Sequence, residues 1–231
     1  MLNIVIGYDK HESVAFHVLS HSIMRHASGP VCITPLYLPQ LQNANIYTRD
    51  RDPNQSTDFT YSRFLTPWIA GQGAKGGRSI FMDCDMLCRA DVYELDAIAT
   101  RNGCVDVNVV KHAYIPLPGH KFLYQKQTSY PCKNWSSLMV FNGYRTAVQS
   151  LTPAFVNNAP ALDLHQFKWC RDGGVGALPS EWNHLVGEYL PNACAKLVHF
   201  TLGGPWFPDY ANCEYADEWH DELARMTYST K

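Results

Sequence analysis

Residues 3–38 constrain the fold most. Asn3 to Tyr8 is a short apolar run that reads as a buried strand. His11 to His26 follows as an amphipathic helix, with Val14, Val18, Leu19, Ile23 and Ala27 on one face. Asp9 ends the strand and is placed to cap the helix, with Glu12 three residues on completing a capping box. Ser28-Gly29-Pro30 stops the helix, and Val31 to Leu38 is a second strand. Strand, helix and strand in this order predict a right-handed crossover between parallel strands. The chain therefore opens as an α/β sheet, with a dinucleotide-type half-fold at its start.

Ser79-Ile80-Phe81-Met82-Asp83-Cys84-Asp85-Met86-Leu87 carries the chemistry. Its apolar run reads as a buried strand, so Asp83 and Asp85 lie at a strand exit, where open α/β sheets place ligands. Two carboxylates one residue apart can share magnesium or manganese, hard cations that keep positions open for substrate phosphates. The bland alternative is a chance Asp-x-Asp. A second one, Asp50-Arg51-Asp52, sits in the polar stretch Thr48 to Asp58 with no strand before it, and reads as a solvated loop.

A chain of 231 residues, 46% hydrophobic and 13% aromatic, fits one α/β domain, or at most two small ones, with a substantial core. A formal charge of -2 gives no reason to expect nucleic acid or an anionic membrane as partner. No apolar run approaches the roughly 20 residues of a membrane span, and residues 1–7 read as a first strand rather than a signal peptide. Eight scattered cysteines form no Cys-x-x-Cys, which speaks against a zinc ribbon and for a reducing cytoplasm.

Gln40 to Asp58 reads as a long polar connection and a candidate active-site flap. Phe59 to Ala70 reads as a helix strained or ended by Pro67, and Gly71 to Arg78 as a flexible linker. Val105 to Lys111 and Ser136 to Phe141 read as strands, with a long irregular stretch, Ala113 to Trp135, between them. Helices are expected around Tyr144 to Asn157 and Leu162 to Cys170. Short strands are expected at Val175 to Leu178 and Lys196 to Phe200, and a terminal helix at Glu214 to Tyr228.

The second informative stretch is His199-Phe200-Thr201-Leu202-Gly203-Gly204-Pro205-Trp206. His199 ends an apolar strand, and a neutral imidazole can complete a manganese shell of carboxylate and phosphate oxygens. Gly203-Gly204 lets backbone amides approach a diphosphate closely. The competing reading is a structural histidine and a tight turn under Trp206.

Taken in order, these stretches resemble the family 8 glycosyltransferases, which include glycogenin and the bacterial lipopolysaccharide galactosyl- and glucosyltransferases. Ile4-Val5-Ile6-Gly7-Tyr8-Asp9, Tyr61-Ser62-Arg63-Phe64 with Pro67, Asn134 to Asn142 and Leu178-Pro179-Ser180-Glu181-Trp182-Asn183 support the resemblance, which spans residues 3–206. It implies a single-domain GT-A fold over residues 1–231, with a mixed, mostly parallel central sheet flanked by helices. It implies that Asp83, Asp85 and His199 hold Mn2+ (or Mg2+), and that a nucleotide-sugar donor, UDP-linked, gives its sugar to a glycan or glycolipid acceptor of a surface polysaccharide or lipopolysaccharide. Gly7, Tyr8 and Asp9 would read the base, Cys84 the ribose, Arg63 the phosphate or sugar. Ser136 and Ser137 would line the donor sugar, Gly203 and Gly204 the diphosphate, and Trp206 the acceptor.

The chain also departs from the family pattern. Gly204 stands where the family has a diphosphate-binding Lys, leaving the metal and backbone amides to suffice, or Lys111, Lys121 or Lys126 to reach in. Glu12 stands where an aromatic is usual, so Tyr8 is the residue left to stack on the base. The family's Asp-Gln-Asp has Asp163 and Gln166 as its nearest matches, the candidates for catalysis. Retaining transfer would use Gln166 or a carbonyl to support charge; inverting transfer needs a base from Asp163, Asp172 or Glu181. The rival classes are a sugar-1-phosphate nucleotidyltransferase, which would want a basic Gly-rich loop after the first strand, and a non-catalytic carbohydrate-binding module on the same fold.

Overall fold

The computed structural model describes residues 1–52, 55–71, 76–113 and 131–228. β1 (Leu2–Tyr8) and β2 (Val31–Tyr37) pair in parallel across α1 (Ser13–His26), as the opening residues predict. β3 (Arg78–Met82) joins the other side of β1, also in parallel, and its Ser79 to Met82 are all buried. A strand covered on both faces has no need to alternate, which is why this run is continuously apolar. β6 (Leu138–Asn142) pairs antiparallel with β3, β5 (Val107–Val110) antiparallel with β6, and β7 (Val175–Leu178) parallel with β5. The six-stranded order is β2-β1-β3-β6-β5-β7, mixed and mostly parallel, with β6 alone reversed.

A second sheet departs from the first at Asp83. The chain leaves β3, turns through Asp83-Cys84-Asp85 and re-enters extended structure as β4 (Met86–Cys88). β4 pairs antiparallel with β9 (Leu197–His199), which pairs in parallel with β8 (His184–Leu185). The carboxylates therefore sit at the corner between two sheets.

Two apolar clusters hold these layers. The larger lies around the six-stranded sheet and includes Ile4, Ile6, Phe81, Phe141 and Trp182. The smaller joins Val18, Leu87, Val198, Phe200 and Trp219, so that α1 packs between the small sheet and the last helix, α8 (Ala216–Thr227). Among the described residues, no helix is long and apolar enough to cross a membrane.

Several element boundaries differ from the sequence reading. A 3-10 turn, Lys10–Glu12, precedes α1; Asp9 accepts from the His11 amide, while buried Glu12 faces Cys84 instead of closing a capping box. Leu38 begins α2 (Leu38–Asn43) rather than ending β2. The expected helix Phe59 to Ala70 is a 3-10 turn, Ser62–Leu65, followed by α3 (Thr66–Ile69). Pro67 sits in the first turn of α3, where its missing N–H costs nothing, so it starts a helix instead of ending one. The stretch Tyr144 to Asn157 divides into α5 (Thr146–Gln149) and α6 (Pro153–Asn158), and Leu162 to Cys170 shortens to α7 (Ala161–His165). α4 (Tyr93–Arg101), β4 and β8 have no counterpart in the sequence reading. Residues 114–130 of the expected irregular stretch, with Lys121 and Lys126, and residues 72–75 of the Gly-rich linker lie outside the described residues.

Candidate functional site

Register brings the carboxylates and the histidine together. Met86 of β4 pairs with His199 of β9, and the Phe200 amide donates to the Asp85 carbonyl at 2.9 Å. Asp83, Asp85 and His199 consequently offer ligand atoms all within 4.8 Å of one another. His199 Nε2 lies 3.3 Å from Asp85 Oδ1, with His199 2% and Asp85 8% exposed. The same sheet end brings Gly7 to Asp9 and Ser137 alongside. Ile6 pairs with Met82, so Gly7 to Asp9 leave β1 beside Asp83, and the Asp83 amide donates to the Ser137 carbonyl at 2.9 Å.

Asn183 fixes the state of His199. Ser137 Oγ donates to the Asn134 carbonyl at 2.7 Å and so accepts from Asn183 Nδ2 at 2.8 Å. That orientation leaves Asn183 Oδ1 as the acceptor 2.9 Å from His199 Nδ1. His199 therefore carries a proton on Nδ1 and turns Nε2 toward Asp85, as a lone pair in the neutral ring. Nε2 and Oδ1 lie 3.3 Å apart, close enough for both to share one cation, a proton or a metal ion. Two hard carboxylates and a neutral imidazole are a donor set that a divalent ion such as manganese fits.

Arg63 is spent on holding Asp83. Its Nη1 lies 2.7 Å from Asp83 Oδ1 and donates to the Ser136 carbonyl at 3.0 Å, and its Nε donates to the Thr60 carbonyl at 3.0 Å. The guanidinium also lies over the rings of Phe59 and Phe81, at 5.3 and 5.0 Å. Ser136 Oγ meets His165 Nδ1 at 2.9 Å, and burial followed by the Arg63 charge lowers the His165 pKa to about 3. This imidazole is thus a neutral hydrogen-bonding strut between α7 and the site.

The remaining predicted residues are distributed as follows. Tyr8 packs edge-on against Phe16 and Tyr37, at 5.3 and 5.1 Å. Asp9 is buried; one oxygen meets the His11 amide and ring, the other accepts from the Asp58 amide at 3.1 Å. Cys84 is fully buried with Sγ 4.0 Å from Glu12 Oε2, and burial, then the surrounding carboxylates, pushes its thiol pKa well up. Asp163 Oδ1 pairs with Lys168 Nζ at 2.6 Å, and half-buried Gln166 follows α7, its amide donating to the Leu162 carbonyl. Asp172 is exposed and Glu181 is half-buried. Lys111 Nζ donates to the Val175 carbonyl at 2.8 Å, near the Trp135 ring.

The loop after β9 explains one departure from the family pattern. Trp206 packs on Trp219, Phe200 and Phe207, with ring centroids 5.3 to 5.8 Å apart. Its ring lies against Gly204 so closely that a Cβ there would fall 2.1 Å away. Gly203 has φ +145 and lies against Tyr210. No side chain fits at 204 while Trp206 keeps this position.

No family model matches the chain. Protein CDI of Arabidopsis thaliana is 38% identical to it over 234 residues, 99% of this chain and 88% of that protein. The chain belongs to the CDI family. Among solved structures, this CDI-family chain resembles the bifunctional glycosyltransferase WbbM, with TM-score 0.64 and 18% identity over 96% of this chain. It spans about half of WbbM, 49% of that chain. It also resembles the galactosyltransferase LgtC, solved with donor and acceptor sugar analogs, with TM-score 0.56 and 12% identity over 100% of this chain and 98% of LgtC. These likenesses show the GT-A fold that the sequence resemblance implied.

Asn183 is the residue whose role the sequence left unread. It stands in the Leu-Pro-x-x-Trp-Asn stretch, yet its partner His199 lies on a different strand. Asn134 and His112 are similar: Asn134 Nδ2 donates to Thr201 Oγ1 at 3.3 Å, and His112 Nδ1 lies 2.9 Å from the Tyr189 hydroxyl. A polar residue beside a buried tryptophan was the available signal for Asn183; the other two carry none.

Proposed function

We propose that this protein is a metal-dependent glycosyltransferase that moves a sugar from a nucleotide-sugar donor, UDP-linked, to a glycan or glycolipid acceptor. The observation that supports this best is the convergence of Asp83, Asp85 and His199, with His199 aimed at Asp85 by Asn183. When bound, manganese or magnesium supplies positive charge that stabilises the leaving diphosphate without a proton. Arg63 keeps Asp83 in place, and Asn183 keeps His199 aimed. Gly7, Tyr8 and Asp9 form the base end, Cys84 the ribose contact, and Ser136 and Ser137 the wall of the donor sugar. Gly203 and Gly204 offer backbone amides to the diphosphate, and Trp206 shapes the loop that faces the acceptor.

We take transfer to proceed with retention, with Gln166 supporting charge on the reacting face and Asp163 as the neighbouring carboxylate. The engagement of Asp163 with Lys168 and the exposure of Asp172 speak for this over an inverting base. Residues 1–231 act as one domain in this reading. The cysteine pattern favours a cytoplasmic setting, and the sequence resemblance favours a surface polysaccharide or lipopolysaccharide as acceptor.

Calorimetric titration of UDP and GDP, each with and without manganese, into wild type and Asp85→Ala tests the reading. Metal-dependent UDP binding that disappears in Asp85→Ala is expected. The same pattern with GDP would change the donor and keep the class. Binding that ignores both metal and mutation would sink the metal site and leave a carbohydrate-binding module.

A further inference from the structure

Asn134 adopts left-handed backbone, φ 62 and ψ 2, although it is not glycine. It stands immediately before the 3-10 turn Trp135–Ser137 that leads into β6. Such a conformation is unfavourable for L-residues, least so for asparagine, and persists where the surrounding structure demands it. Here it lets the carbonyl and the side chain of one residue serve two different segments.

The carbonyl serves the metal-ligand shell. It accepts from Ser137 Oγ at 2.7 Å and, at 3.4 Å, from Asn183 Nδ2. Ser137 Oγ accepts in turn from Asn183 Nδ2 at 2.8 Å, and Asn183 Oδ1 holds His199 Nδ1 at 2.9 Å. The Ser137 carbonyl accepts from the Asp83 amide at 2.9 Å. Two of the three candidate ligands are thus anchored through the turn that Asn134 opens.

The side chain serves the loop after β9. Asn134 Nδ2 donates to Thr201 Oγ1 at 3.3 Å, and Thr201 is buried. Gly203 and Gly204 follow shortly after, and consecutive glycines give a loop little stiffness of its own. Position 204 admits no side chain while Trp206 keeps its place, so what the loop offers a ligand there it offers by backbone. Backbone donors stabilise an anion well only when they are held in place beforehand. The Asn134–Thr201 bond ties this loop to the turn that anchors the ligands.

We infer that Asn134 is a positioning residue for the nucleoside diphosphate: its carbonyl sets the metal ligands, and its side chain sets the Gly203–Gly204 loop against them. The inference rests on the transferase reading given above, and the test separates the two. Manganese alone, and UDP and GDP with manganese, are titrated into wild type, Asp85→Ala, Asn134→Gly, Asn134→Ala, Thr201→Val, Thr201→Ser and the double variant Asn134→Gly/Thr201→Val. Circular dichroism confirms folding. Glycine keeps the left-handed backbone and its carbonyl and removes only the tether. Asn134→Gly should therefore bind manganese as wild type does, and the preferred nucleoside diphosphate about 5-fold more weakly, the loss of one hydrogen bond. Thr201→Val should match it, Thr201→Ser should keep wild-type affinity, and the double variant should be no weaker than either single one. Asn134→Ala disfavours the left-handed backbone and should also weaken manganese itself by about 10-fold.

Unchanged diphosphate affinity in Asn134→Gly, or manganese affinity falling along with it, overturns the inference. So do additive losses in the double variant, because the two residues would then act through separate contacts. Wild-type manganese affinity in Asn134→Ala overturns the part assigned to the carbonyl. In each case, metal-dependent diphosphate binding that is present in wild type and lost in Asp85→Ala leaves the transferase reading standing. If wild type shows no such binding, the transferase reading fails and the inference fails with it. Should Asn134→Gly not fold, Thr201→Val against Thr201→Ser decides, and equal diphosphate affinity in those two overturns the inference.

Discussion

Asn183 decides which nitrogen His199 presents. Its amide is oriented by Ser137 and Asn134, so the imidazole has one tautomer available and one direction in which to aim it. Partners of this kind usually contribute 10- to 100-fold in metal affinity. Asn183→Ala should therefore weaken manganese binding by roughly that factor with little loss of folded protein. Electron paramagnetic resonance of free manganese during titration measures it, and wild-type affinity in the variant would mean that His199 is aimed by something else. Asp83, Asp85 and His199 were legible in the sequence because each ends an apolar run, and strand ends are where such sheets bind. Asn183 and the Arg63–Asp83 pairing were not, because each depends on a contact between distant segments that no local pattern records.

At the scale of elements, α1 and α8 are joined through one carboxylate. Glu222, 1% exposed, meets His21 Nδ1 at 2.7 Å, Arg25 Nη2 at 2.8 Å and Arg225 Nη1 at 3.4 Å. Burial alone would raise its pKa, but the bonds from Arg25 and His21 outweigh that and hold it below the ordinary glutamate value. A depressed carboxylate stabilises the fold above the unfolded glutamate pKa and loses that contribution as pH falls through the folded value. Wild type should therefore lose stability on acidification below about pH 4.5 more steeply than Glu222→Gln. Glu222→Ala should cost about 2–3 kcal/mol at neutral pH, below the range for fully buried pairs because Arg25 and Arg225 are 40% and 55% exposed. Thermal unfolding should register a drop of roughly 5–10 °C; a change under one degree would show that apolar packing alone joins the helices. Elements were legible in proportion to their periodicity. α1, β1, β2 and β3 were read closely, and α8 to within two residues at its start. α3, α5, α6 and α7 are four to six residues long, too short for a helical period to show; Pro67 lies in the first turn of a helix it was expected to strain or end, and Pro153 begins α6 inside a stretch read as helical throughout. β4 and β8 are strands only because β9 lies between them, a fact of pairing and not of propensity.

For the whole molecule, the ligand set straddles the seam between two sheets, so a metal–nucleotide complex should brace one against the other. At a hundredfold excess over its Kd such a complex adds about 2.7 kcal/mol. The midpoint of thermal unfolding should rise by roughly 5–10 °C with UDP and manganese together, and not at all in Asp85→Ala. A rise that persists in Asp85→Ala would place the nucleotide elsewhere. The register of β4 against β9 has a consequence of another kind. Asp83 and Asp85 emerge early in synthesis, whereas His199 arrives only after β5 to β8 have been made. During synthesis Asp83 and Asp85 therefore wait without the third member of their cluster. Only assembly of the small sheet, the pairing of β4 with β9, brings the three groups together.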